Sequence, residues 1–156
     1  MSFKKKFEEK IIAIKRKEFN ILIWGPGINS QHYEKRRKLK KELKAHFTNS
    51  EIFFSEDDEL DEKLISVDES YMFFPQHIKE SFQLDACDVC IVLDSSKGVG
   101  EEISNALRNP KNAYKLLILT HKDFKNSNSF CTSTRSQFSF QEFYNQEEYD
   151  KCNLIK

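Results

Sequence analysis

Apolar residues along this chain fall into two rhythms. Four short runs are apolar at nearly every position: 19–24 (Phe19-Asn20-Ile21-Leu22-Ile23-Trp24), 51–54 (Glu51-Ile52-Phe53-Phe54), 88–94 and 115–120. Their length and branched residues predict strands buried on both faces. Between them apolar residues recur at intervals of three and four. Leu39, Leu43 and Phe47 predict a helix over about 33–47, and Ile78, Phe82 and Ala86 another over 76–86. Ile103, Ala106 and Leu107 predict a third, entered from a loop at 95–100 and closed by Asn109-Pro110. Phe3, Phe7, Ile11 and Ile14 mark an amphipathic helix within 1–18.

The remaining stretches are weaker. Residues 55–74 read as an acidic loop insertion with at most a helical turn, and 121–136 as a polar loop rich in Ser and Asn. A short fifth strand is expected at 137–140 and a terminal helix at 146–154. Strands that alternate with helices and are apolar on both faces predict a parallel sheet covered on both sides. The expected fold is a single Rossmann-like (flavodoxin-like) α/β domain over 1–156, a three-layer sandwich with about five mostly parallel strands.

Charge adds asymmetry that the net value of zero conceals. Residues 1–50 carry 14 Lys/Arg against 5 Asp/Glu, whereas 51–102 carry 3 against 15. The basic share sits largely on the helix at 33–47 (Lys35, Arg36, Arg37, Lys38, Lys40, Lys41, Lys44), which has no interleaved aromatics. Its bland reading is a solvated face, so nucleic acid is not the expected partner. Fourteen Phe argue against a disordered chain. No stretch is apolar for long enough to span a membrane, and Met1-Ser2-Phe3-Lys4-Lys5-Lys6 is unlike a signal peptide. A cytoplasmic protein with no membrane partner is expected.

Cys87 and Cys90 have C-x-x-C spacing, but no second pair or suitably spaced His follows. Strand alternation would send the two thiols to opposite faces. They read as small buried apolar groups, with no metal site expected.

In parallel sheets of this kind ligands bind beyond the carboxyl ends of the strands. The first strand ends in Trp24-Gly25-Pro26-Gly27, whose glycines permit close backbone approach to a phosphate or ribose, although the loop is neither G-x-G-x-x-G nor a Walker loop. The third ends in Asp94-Ser95-Ser96-Lys97-Gly98-Val99-Gly100-Glu101-Glu102. At about 100° per residue, Glu101 falls opposite the stripe of Ile103, Ala106 and Leu107. Glu102 falls at its edge, held against the sheet. A partly desolvated carboxylate there has a defined orientation and suits a nucleophile or a counter-charge to a cationic transition state. The competing role is stabilisation of its own helix's N-terminus. His77, at the start of the 76–86 helix, is a possible proton donor to a leaving group.

These motifs carry a resemblance. Gly25-Pro26 after the first strand, Asp85-Ala86-Cys87-Asp88 leading into the third, and Gly98, Glu102, Ile103 and Ala106 in register resemble the nucleoside 2-deoxyribosyltransferase family. The resemblance spans roughly 20–120. It implies Glu102 as the catalytic carboxylate, with Asp94, Ser96 and Gly98 lining the base or sugar pocket. Ser96 stands where the family has a base-contacting Asp, and Ser104 where it has Gly; Asp94 is the substitute expected for the former. The layout is also similar to TIR domains, with their single catalytic Glu and a loop after the second strand that can act as a lid. Together the resemblances imply cleavage of an N-glycosidic bond in a nucleotide, nucleoside or NAD, in an antiphage effector or signal synthase. NAD or nucleotide would be substrate, with no separate cofactor. A homodimer or a regulatory partner protein is compatible with the family. The alternative is a non-catalytic sensor that binds a nucleotide signal or a protein through the same cleft.

Overall fold

Five strands, β1 (Asn20–Trp24), β2 (Glu51–Phe54), β3 (Val89–Asp94), β4 (Leu116–His121) and β5 (Phe140–Tyr144), form one sheet in the order β2-β1-β3-β4-β5. Every neighbouring pair is parallel. The computed structural model describes residues 12, 17–30, 33–94, 97–121 and 140–144. The expected helix at 1–18 lies outside them apart from Ile12, which is helical, and Lys17 and Glu18, which are not. The expected helix at 146–154 also lies outside them, as does nearly all of the 121–136 loop.

Parallel neighbours require crossovers; the β4–β5 connection lies outside the described residues, and from β1 to β4 helices supply them. These are α1 (Tyr33–His46), α2 (Asp58–Val67), a 3₁₀ turn (Glu69–Phe73), α3 (Gln76–Ala86), α4 (Lys97–Leu107) and α5 (Pro110–Ala113). Strand alternation divides the core into two clusters. Leu22, Trp24, Phe53, Cys90, Val92, Leu116 and Ile118 face α2, α3 and α4 through Leu60, Leu64, Leu84, Ile103, Ala106 and Leu107. Ile21, Ile23, Ile52, Phe54, Ile91, Leu93 and Leu119 face α1 through Leu39 and Leu43. The period-2 pattern of each strand thus places one apolar set in each half of the sandwich. The Rossmann-like architecture is as expected, with the flavodoxin-like strand order.

Four local expectations are corrected. The acidic 55–74 segment is not a loop: it folds as α2 and the 3₁₀ turn, because Leu60 and Leu64, one helical turn apart, both bury. Tyr71 of that turn is fully buried. It donates its hydroxyl to Asp61 Oδ1 at 2.8 Å and accepts from Gln83 Nε2 at 3.1 Å. Burial pushes its pKa up to about 12, with the Asp61 hydrogen bond acting in the same direction. Secondly, α4 begins at Lys97, inside the expected loop. Thirdly, Asn109-Pro110 both ends α4 and starts α5: Asn109 Oδ1 accepts from Lys111 N at 3.1 Å as an N-cap, with Pro110 at the first helical position. Finally, β5 runs over Phe140–Tyr144, beyond the expected 137–140, of which only Phe140 lies among the described residues.

Cys87 and Cys90 are free and buried in the same cluster. The expectation of opposite faces fails because Cys87 is the C-cap of α3 and strand alternation begins only at Val89. Burial raises Cys87 to about 12 and Cys90 well above its ordinary value, so both are inert thiols.

Candidate active site

The chain moves from β1 outward to β2 and returns to place β3 on the other side of β1, so the strand order reverses between β1 and β3. That boundary is where this class of sheet opens a crevice at its carboxyl end. Trp24 and Val92 are register partners across it. The two loops singled out in the sequence leave the sheet side by side.

Gly25 is required for packing. A Cβ there would lie 3.0 Å from Arg36 Cδ and 3.1 Å from Leu93 Cβ, so the missing side chain lets α1 close onto the strand end. At Gly27 no atom of the described residues lies within 4 Å of such a Cβ, and the residue is exposed. Gly27 is therefore the position where backbone remains open to a ligand. Its carbonyl accepts from Ser30 N at 2.9 Å, closing the turn.

Arg36 organises this corner. It lies in a Lys-rich helix, yet it is 1% exposed because it falls on the stripe of Leu39 and Leu43. Its Nη1 donates to Pro26 O at 2.9 Å and Glu56 Oε1 at 2.7 Å. Its Nη2 donates to Ile23 O at 3.1 Å and Glu56 Oε2 at 2.9 Å. The bidentate pair ties the loop after β1 to the segment after β2, and the guanidinium lies 4.5 Å from the Phe54 ring centroid. Pro26 is buried, with its carbonyl committed to this clasp.

Glu102 occupies the second turn of α4, beside Ile103 on the sheet-facing stripe. It is half-buried, and its Oε2 is enclosed with no hydrogen-bond partner among the described residues. Its pKa is raised to about 7, chiefly by burial and next by the negative charge of Glu80; Arg36 pulls it down and Glu56 pushes it up. The free N–H groups of the α4 N-terminus belong to the preceding turn. Glu102 thus lies one turn beyond them, and desolvation is the largest cause of its raised pKa. Glu80, on α3, is also raised by burial, with its Gln76 hydrogen bond and nearby His77 opposing.

The other residues singled out in the sequence divide. Trp24 is a core residue, 1% exposed, with its indole N–H buried and unpartnered among the described residues, so only its backbone reaches the crevice. His77 is exposed in the first turn of α3, near enough in charge to act on Glu80. Asp94 ends β3 opposite Thr120, and Gly98 lies in the first turn of α4. Ser96 lies outside the described residues. Sequence reasoning missed Arg36, Glu56 and Glu80. For Arg36 a signal existed, since it sits three residues before Leu39 and seven before Leu43. For Glu80 the signal is its place three and four residues before buried Gln83 and Leu84. Glu56 has only its position just past β2.

Among the described residues no group of three or more His, Cys, Asp or Glu is placed to hold a metal ion, and no helix is long and apolar enough to cross a membrane. No family model and no curated protein matches the sequence. Among solved structures, the chain is similar to a conserved protein from Enterococcus faecalis V583, with a TM-score of 0.53 and 11% identity over 88% of this chain and 100% of that one. It is also similar to the CMP N-glycosidase BcmB of Clostridium botulinum, with a TM-score of 0.48 and 16% identity over 86% and 99% of the two chains. At these identities the likeness is one of fold.

Proposed function

We propose that this protein breaks the N-glycosidic bond of a nucleotide, nucleoside or NAD, with Glu102 as the carboxylate that faces the anomeric carbon. The observation that carries the reading is a half-buried carboxylate with an enclosed, unpartnered oxygen, on the helix that follows β3 at the strand-order reversal. The motif resemblance around Gly98, Glu102, Ile103 and Ala106 points to the same residue and class of chemistry.

As the bond breaks, its electron pair leaves with the base and positive charge develops over C1′ and the ring oxygen. An ionised Glu102 stabilises that charge or attacks the carbon, and water or another acceptor completes the reaction. The open backbone at Gly27 contacts phosphate or ribose. The resemblance assigns Asp94 and Ser96 to the base or sugar, and His77 is the group proposed to deliver a proton to the departing base. The Arg36–Glu56 clasp holds the β1 loop in place; the Arg36 charge favours the ionised form of Glu102, and the Glu56 charge opposes it. In a cell this activity fits an antiphage effector or a producer of a nucleotide signal.

The test is incubation with NAD and a panel of nucleosides and nucleotides, with free base measured by liquid chromatography. Glu102→Gln should lower turnover about a thousandfold while leaving the circular dichroism spectrum unchanged. An unaltered rate in that variant removes Glu102 from the mechanism. Nucleotide binding without any release of base would assign the crevice to a sensor. Because the ionised form is the active one, kcat/KM should rise with pH along an acid limb centred near 7.

A further inference from the structure

A groove lies on the opposite face of the sheet from α4. Tyr33, Arg37, Lys40, Lys41 and Lys44 fall at i, i+4, i+7, i+8 and i+11 of α1, which places them on one stripe of the helix. Together with Phe54 of the edge strand β2 they line an open groove of about 290 Å³. The sequence places no aromatics within the basic run; the fold supplies two, Tyr33 from the helix start and Phe54 from the neighbouring strand.

The groove has a floor and cationic walls. The Phe54 ring is buried, with Lys40 Nζ 4.4 Å from its centroid and Arg36 on it at 4.5 Å, so the floor is held rigidly. Lys40 is engaged with Asp57, and Arg37 with Glu34 in an exposed pair. Exposed pairs of that kind exchange readily for a stronger anion. Lys41 and Lys44 are exposed and take part in none of the ion pairs among the described residues. From Arg37 to Lys44 the stripe is about 10 Å long. It therefore presents positive charge along a line, which suits a ligand carrying several negative groups in series better than one isolated ion.

We infer that the α1–β2 groove binds a chain of phosphates, with Lys41 and Lys44 as its principal contacts and Arg37 and Lys40 as flanking charges. Two sources share that chemistry, the backbone of a single-stranded nucleic acid and inorganic polyphosphate. Neither needs base recognition, in keeping with an aromatic floor already covered by two cations. The residues that line the groove do not include Glu102.

The test is fluorescence anisotropy of the full chain with a labelled oligothymidylate, followed by competition with inorganic polyphosphate and with poly-glutamate. Lys41→Ala/Lys44→Ala should weaken binding about tenfold and lower the salt slope by roughly 1.4, the value for two lost contacts on a single strand. Arg108→Ala/Lys111→Ala makes the same charge change on exposed residues at the far end of α4 and in α5, and should leave affinity within about twofold. Circular dichroism of both variants checks folding. Stronger binding of the oligonucleotide names nucleic acid as the source, and stronger binding of polyphosphate names the inorganic chain. Equal weakening by the two variants would reduce the effect to overall charge and overturn the site. Competition by poly-glutamate as effective as by polyphosphate would overturn the phosphate assignment in favour of an acidic protein. Absence of binding to either phosphate chain at low salt would also overturn it.

Discussion

On the α1 side of the sheet Arg36 is enclosed and makes four hydrogen bonds, two to backbone carbonyls and two to Glu56. On the α4 side Glu102 is also withdrawn from water, but its Oε2 is left without a partner among the described residues. Both terminal nitrogens of Arg36 meet a backbone carbonyl and a Glu56 oxygen, with only Nε enclosed and unpartnered among the described residues; Glu102 has no such clasp, and its burial raises its pKa. The first arrangement is structural. The second leaves a carboxylate oxygen unpartnered among the described residues, the feature on which the proposed role of Glu102 rests.

The contrast can be broken from either side. The largest expected effect comes from Arg36→Met, which keeps bulk but strands Glu56 and two carbonyls; chemical denaturation should show a loss of about 3 kcal/mol. Because Arg36 lowers the Glu102 pKa, the same variant should move the acid limb of any activity to higher pH.

Glu102→Gln should act in the opposite direction on stability. The folded protein holds the Glu102 proton up to about 7, whereas an unfolded Glu releases it near 4.5. Between those values the native state binds more protons, so stability is fully present below about 4.5 and falls as pH rises through about 7. At about 1.4 kcal/mol per unit the cost above pH 7 is roughly 2–3 kcal/mol once partial exposure is discounted. The Gln variant lacks that titration, so its melting temperature should exceed the parent's at pH 8 and converge with it at pH 4.

Gly25→Ala sharpens the comparison from the packing side. The new methyl meets Arg36 Cδ at 3.0 Å and Leu93 Cβ at 3.1 Å, and a loss of about 1 kcal/mol in a denaturant titration is expected. The smallest effect belongs to Glu80→Gln. Removal of that neighbouring charge should lower the Glu102 pKa and shift the acid limb to lower pH, with little change in the maximum rate.

Much of the frame was legible because strand burial on both faces is a local pattern. β1, β2, β3 and β4, and the helices at 33–46 and 76–86, lie within a residue or so of where the apolar runs place them. α2 was obscured by Asp58, Glu59, Asp61 and Glu62, which surround the one informative pair, Leu60 and Leu64. Gly98 and Gly100 disguised the first turns of α4, since glycine is a poor helix former. The helical-wheel argument placed Glu102 at the edge of the buried stripe, in agreement with its half-buried position. Its electrostatic surroundings were not legible. Arg36, Glu56 and Glu80 come from α1, the segment after β2 and α3, and only the tertiary fold brings their charges to bear on one carboxylate.

Ion pairs also mark how the sheet ends at β2. Among the described residues β2 has one strand neighbour, so its outer rim is an edge. That rim is only four residues long. Lys63 pairs with Glu51 at its start, and Lys40 pairs with Asp57 just past its finish. An unrelated extended segment would have to displace charged groups at both ends to gain a few main-chain hydrogen bonds. A brief, ionically fenced margin of this kind discourages edge-to-edge aggregation.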